Sequence, residues 1–391
     1  MKIQLVVLPI AILLMLLALA VGISKLLLMG GVITQPFISL LLPNHGQLMV
    51  FGFLSILLAT ERYLGALAFP FHPIIHSMPF LVAAGGIIQI TGWVSNIFPL
   101  VLGGSVILIA GFIIYIYIIT SIGKRSAQPL PFKYMSLAAV SLISASIVGI
   151  WNSPVGNLPF SMLLLGFPIL TILGERVELT RFVAPSISSL ARYGIWILAV
   201  AFALILIQTL FPAVAYRPLM LTWVLLLLAV AIPLAWGERR LMTRGEKILH
   251  RYLGVHLMAA YGWLFLGIIA LLVIVVNGQT VALMDAATHS LAIGFIGSMI
   301  LAHAPIILPA ILGRPLIEER LNRLPLWLLT TGNFFRVVSE RTCRRNRSEE
   351  SDSFGSGRSA YATNRCCICD CYAQVNSAFF RQPSFNPIKT H

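Results

Sequence analysis

IQLVVLPIAILLMLLALAVGISKLLLM, residues 3–29, decides the fold class. The stretch holds one charge, Lys25, and is longer than the roughly 20 apolar residues that cross a bilayer as a helix. Met1-Lys2 before it and Ala18-Leu19-Ala20 inside it imitate a signal peptide with its cleavage site. A secretory apolar core runs only about 7–15 residues, so the stretch reads as an uncleaved first span. The pattern then recurs. Apolar runs lie near 36–60, 78–97, 100–122, 133–151, 158–174, 190–211, 217–237, 252–276 and 286–312, with an incomplete one at 324–338. The expected fold class is all-α, a polytopic helical membrane protein of about ten transmembrane helices plus a partial eleventh.

Composition agrees. Of 391 residues, 58% are hydrophobic and 10% charged, where a soluble domain carries about a quarter charged. The formal charge of +14 would fit a nucleic-acid partner if the positives formed a stripe. They do not. Eight of the 27 Lys and Arg fall after residue 339, and most of the others sit between apolar runs. Lys2 and the loops after the even-numbered spans hold sixteen positives, among them Arg62, Arg125, Arg176, Arg239, Arg314 and Arg323. The opposite side has Lys25 and Arg217. The positive-inside rule therefore places the N-terminus and those loops in the cytoplasm of a plasma (bacterial inner) membrane. Lipid is the expected partner; nucleic acid is not.

An internal repeat runs through the chain. Gly52-Phe53 precedes Glu61-Arg62 by nine residues, Gly166-Phe167 precedes Glu175-Arg176 by nine, and Gly294-Phe295 precedes His303-Ala304 by nine. The second, sixth and tenth spans are thus equivalents four helices apart, and repeated helical units commonly surround a central site. Glu238-Arg239 closes the eighth span. These Glu-Arg pairs read as inner-face anchors, with Glu61, Glu175, Glu238 and His303 as an alternative inner-face proton or ion relay.

Ionisable residues inside a span cost roughly 2.5–3.5 kcal/mol each at the helix centre on insertion scales and mark function by default. His45 lies towards the outer end of the second span; Asp285 and His289 lie at the outer start of the tenth. The last two are four apart and share a helix face, so Asp285 can orient the imidazole through the nitrogen that is not a ligand. The competing reading makes Asp285 an N-cap and His289 an ordinary buried histidine. Arg336 follows Arg323 by thirteen residues, about 20 Å of helix, which brings it to the depth of both histidines if the eleventh span forms. Two imidazoles and a guanidinium at one depth suit a haem: two axial ligands and a counter-ion for propionates. His303, fourteen residues after His289, is about 21 Å away along the helix and cannot share that metal. His250 and His256 read as interfacial.

Three stretches together carry a family resemblance: His45-Gly46-Gln47-Leu48-Met49-Val50-Phe51-Gly52-Phe53, His289-Ser290-Leu291-Ala292-Ile293-Gly294-Phe295-Ile296-Gly297-Ser298-Met299-Ile300, and His303-Ala304-Pro305. They resemble the NnrS-type membrane proteins and, more distantly, subunit I of the haem–copper oxidases, both twelve-span families. The resemblance implies a low-spin haem between His45 and His289, with Arg336 facing its propionates, and a role in nitric-oxide response or respiratory electron transfer. It implies respiratory or nitric-oxide-metabolising membrane proteins as partners. No histidine occurs between His76 and His250, so copper is not expected and oxygen reduction is not the expected chemistry; whether the chain is an enzyme stays open. Two alternatives stand beside this: a small-solute or ion transporter, and a non-catalytic assembly partner of a respiratory complex.

The transmembrane domain is expected over 1–338. From residue 339 to 391 the chain turns polar, gathers all five cysteines and loses its hydrophobic period, as a disordered tail does. The families it resembles continue into a complete eleventh and a twelfth span, so a truncated or frame-shifted C-terminus is one reading of the change.

Overall fold

The computed structural model describes residues 4–29, 33, 39–151, 158–183, 188–212, 214, 216–244, 248–278, 280–312 and 323–337. The tail expected at 339–391 lies outside them. Among the described residues ten helices are long and apolar enough to cross a membrane, and their order follows the apolar runs of the sequence. They are α1 (Gln4–Met29), α2 (Leu40–Ala66), α3 (Met78–Ser95), α4 (Phe98–Arg125), α5 (Leu130–Trp151), α6 (Leu158–Val183), α7 (Ser188–Leu210), α8 (Tyr216–Arg244), α9 (Ile248–Asn277) and α10 (Val281–Leu312). The partial eleventh run is also helical, α11 at 324–337. The protein is an all-α integral membrane protein.

Chain neighbours pair most closely: α3 with α4, α5 with α6, and α8 with α9. The α3–α4 turn shows why. Asn96 ends α3 in the left-handed region at φ 56°, and the Ile97 amide returns to the Gly92 carbonyl; an αL residue of this kind is a common helix stop. The two helices then close on glycine. A side chain at Gly104 would strike the backbone of Gln89, and one at Gly85 would strike that of Leu108. Small residues at such crossings let backbones approach where lipid supplies no hydrophobic drive between helices. Gln89 sits at this crossing, donating to Ser105 Oγ at 2.7 Å and Ser146 Oγ at 3.0 Å. One buried amide so fastens α3, α4 and α5.

The sixth span is the hub. It packs on α5, α7 and α8 and on the middle of both α2 and α10, and its span is almost wholly hidden within the bundle. By contrast α1 and α7 turn large apolar side chains outward, among them Leu13, Leu16, Ile195 and Trp196, as lipid-facing helices do. The α2, α6 and α10 spans that share the sequence repeat therefore meet at the centre.

Two of these three are not regular helices. In α2 a π-helical segment, Leu48–Leu54, follows His45 by three residues; in α10 the π-helical segment Ser290–Gly297 begins directly after His289. Each contains the repeated Gly-Phe pair. Widening by one residue sends the Ser55 amide to the Val50 carbonyl, and Ser55 Oγ takes up the Phe51 carbonyl at 2.6 Å. Single π segments of this type are enriched at functional positions. The prolines near His303 do not end α10, whose last α-helical segment runs Ser298–Leu312. Pro305 has no N–H to offer the Leu301 carbonyl; Tyr252 of α9 donates its hydroxyl there instead, at 3.3 Å.

Candidate functional site

The N-terminal end of α10 is built around Asp285. Thr280 caps the helix, its hydroxyl accepting from the Leu283 amide at 3.2 Å, so Asp285 is not the cap and its carboxylate serves other groups. Arg336 of α11 grips it with a fork, Nε to Oδ2 at 3.0 Å and Nη2 to Oδ1 at 3.1 Å. His289 turns Nδ1 towards the same residue, 2.9 Å from the Asp285 carbonyl and 3.1 Å from Oδ2. Both neighbours are acceptors, which places the proton on Nδ1 and leaves the Nε2 lone pair for a ligand bond. Asn333, one turn before Arg336, donates to the His289 carbonyl at 3.3 Å. Thus α11 forms, brings Arg336 to the expected depth, and locks one face onto α10. Its fork is on Asp285 and so acts on His289 through that carboxylate.

His45 approaches from α2. Its ring lies against α1 at Gly22, where a Cβ would stand 2.9 Å from Cε1; glycine there makes the room. Nδ1 of His45 is buried without a hydrogen-bond partner among the described residues. The ring is within electrostatic range of His289, Arg336 and Lys25. The structure so gathers His45, His289, Asp285 and Arg336 into one cluster at the end of the bundle opposite the arginine-rich loops. Lys25, one turn beyond Gly22, joins it; nothing in its spacing singles it out.

The other end holds a second cluster. Arg62 of α2 pairs with Glu175 of α6 and lies 3.7 Å from Glu61. Arg176 of α6 lies 3.7 Å from Glu238 of α8 and donates to His303 Nε2 of α10. His303 Nδ1 sits 2.6 Å from the Met299 carbonyl, which fixes the tautomer with its proton on Nδ1. Tyr261 of α9 donates to Glu238 at 2.9 Å. Glu61 and Glu175 are therefore gathered by Arg62, and Glu238 and His303 by Arg176, two groups that meet at the chain neighbours Glu175 and Arg176. Arginine of each repeat unit reaches the next: Arg62 to α6, Arg176 to α10.

The chain matches the family model described as "Domain of unknown function (DUF8744)" over residues 4–354. It belongs to the DUF8744 family. No curated protein and no solved structure matches the chain. In this DUF8744 member the matched region takes in both clusters and every described helix.

Sequence reasoning missed one histidine. His256, expected at the interface, is fully buried, with Nδ1 on the Tyr252 carbonyl at 2.9 Å and its ring against Tyr252. Nothing in the spacing of His250 and His256 distinguishes the buried one; the packing of α9 against α10 does. Tyr261 was also invisible, because its role depends on Glu238 from a neighbouring helix.

Proposed function

We propose that this DUF8744 chain is a haem-binding integral membrane protein, and that His45 and His289 are the residues that would hold the group. The observation that carries the reading is the Asp285–His289 pair. A carboxylate on Nδ1 raises the basicity of the imidazole and holds its orientation, the arrangement metal-binding histidines typically have. Arg336 fixes the carboxylate in turn. His45 supplies the partner imidazole from a second helix in electrostatic range. Among the described residues no group of three or more His, Cys, Asp or Glu is placed to hold a bare metal ion. A porphyrin brings four nitrogens of its own and needs only two from the protein. The donor set fits.

Such a group would supply one-electron chemistry. The two ligands differ in how firmly the chain holds them. His289 is held by Asp285, Arg336 and Asn333; His45 has no partner on Nδ1, and its hydrogen bond is to the backbone of Ala18 on α1. The NnrS-type resemblance favours nitric-oxide response or electron transfer over oxygen reduction. The excess of positives in the loops after the even-numbered spans supports a cytoplasmic N-terminus. Full-length protein purified from haem-replete cells tests the reading. It is expected to show a Soret band that His45→Ala and His289→Ala each abolish; colourless wild-type protein overturns it. A second reading, an ion or small-solute transporter, is favoured by the network that joins α2, α6, α8 and α10, and substrate-dependent flux in liposomes would support it.

A further inference from the structure

Several crossings of this bundle close on glycine. A side chain at Gly85, Gly104 or Gly294 would strike the neighbouring helix, as expected of the small residues that let membrane helices approach. Gly262 of α9 departs from this. A Cβ added there meets nothing within 4 Å, although glycine costs a helix about 1 kcal/mol against alanine. Gly262 lines a groove of about 400 Å³ between α9 and α11, together with Ala259, Trp263, Thr330, Phe334 and Phe335. On each helix these residues follow the three- and four-residue steps of one face, and the two faces stand apart.

The groove opens sideways. Leu266, Phe334 and Phe335 are exposed, and the α9 wall lies in the middle of a 30-residue helix, so a ligand enters from the bilayer. Both walls are seated on α10 just after His289. Trp263 packs on Gly294, Leu329 of α11 on Gly297, and Asn333 donates to the His289 carbonyl. The groove carries one polar mark. In this chain a helical Ser or Thr hydroxyl commonly donates to the carbonyl four residues back: Ser55, Thr91, Ser105, Thr120, Thr209 and Thr222 do so at 2.6–2.8 Å, the ordinary outlet for a hydroxyl within a helix. Thr330 does not, and its hydroxyl has no hydrogen-bond partner among the described residues. Within a bilayer no water is at hand to satisfy it.

Size and lining select the occupant. One turn of a helix with its side chains, about 5.4 Å tall and 10–12 Å across, fills roughly 400–600 Å³, so the groove does not seat a further span. Its volume falls within the roughly 300–1,000 Å³ of small-ligand sites, which are mostly apolar with a few placed polar groups. A lipid acyl chain would fill it and leave the hydroxyl unmet. We propose that the α9–α11 groove binds a membrane-dissolved ring bearing a carbonyl oxygen, of the quinone type. The ring packs among Trp263, Phe334 and Phe335, and its oxygen accepts from Thr330. The inference does not depend on the haem reading, because binding needs no haem in the protein.

Decylubiquinone, a short-chain benzoquinone, tests it on the full chain in nanodiscs, since a bound quinone quenches tryptophan fluorescence on contact. Wild-type protein is expected to show saturable quenching. Gly262→Leu puts a side chain into the open space and should abolish saturation, whereas Gly103→Leu, equally open but on α4, should leave it unchanged. Thr330→Val keeps the shape and loses the hydroxyl, and should weaken binding several-fold. Quenching that rises linearly and alike in wild type and Gly262→Leu is partition into lipid alone and overturns the proposal. A Thr330→Val variant that binds like wild type overturns it too. An azidoquinone provides a measurement on unaltered protein. It should photolabel peptides of α9 and α11 above those of the lipid-facing α1 and α7; even labelling of all four overturns the site.

Discussion

Replacing Asp285 by alanine should be costly, because one carboxylate joins α10 to α11. The wild-type carboxylate receives two bonds from Arg336 at 3.0 and 3.1 Å and faces His289 Nδ1 at 3.1 Å. The side chains of Asp285 and Arg336 are only 11% and 10% exposed, so water screens the pair little. Deleting the carboxylate takes both forked bonds from Arg336 and the facing oxygen from His289, and breaking one side of a buried ion pair costs about 3–5 kcal/mol. Arg336→Ala removes the fork but leaves His289 facing the carboxylate, and is expected to cost less. Removing both deletes the pair as a unit, so the double variant should lose less than the sum, with a coupling energy on the order of 2 kcal/mol. Tryptophan fluorescence of the full chain, followed as SDS displaces a mild detergent, measures each value. Single losses below about 1 kcal/mol that simply add would refute the claim that α11 is fastened to α10 through this carboxylate.

Other outcomes follow from the same packing. Glu238→Leu removes the carboxylate that faces Arg176 and accepts from Tyr261, both buried, and should cost about 3–5 kcal/mol in that SDS titration. Gly104→Ala puts a methyl into the backbone of Gln89 on α3; overpacking of this kind costs about 1–3 kcal/mol, and an unchanged unfolding curve would show that α3 and α4 are not so close. Gly22→Val crowds the His45 ring against α1 and should weaken haem retention, read as loss of Soret absorbance on gel filtration, with helix content by circular dichroism unchanged.

The spans were legible because lipid imposes a one-dimensional rule. About 20 apolar residues are needed to cross, and breaks between runs are where charges can stand. Apolar runs such as 100–122 and 217–237 therefore became α4 and α8 with only their ends extended. The Asp285–His289 pairing was readable too, since four residues along a helix fix adjacency. What a carboxylate does with its second oxygen is not local. That Arg336 forks onto Asp285 depends on how α11 crosses α10, which no spacing within either segment encodes. The cluster at the arginine-rich end shows the same limit. Glu61, Glu175, Glu238 and His303 each stand out in the sequence, but that Arg62 reaches Glu175 and that Arg176 reaches Glu238 and His303 depends on how α2, α6, α8 and α10 pack. Local pattern also fails for the π segments, because a one-residue widening leaves composition untouched.

The central position of α6 has a consequence in time as well as in space. Helices enter a membrane in the order they are made, and α6 is made before the partners that hide it. Its Arg176 is served by His303, 127 residues further along the chain. Until α8 and α10 arrive, a helix carrying Glu175 and Arg176 must stay in the bilayer with only α1–α5 for company. Arg62, already in place on α2, pairs with Glu175. The pairing of the first repeat unit with the second thus secures a half-built bundle, and the pairing of the second with the third closes it.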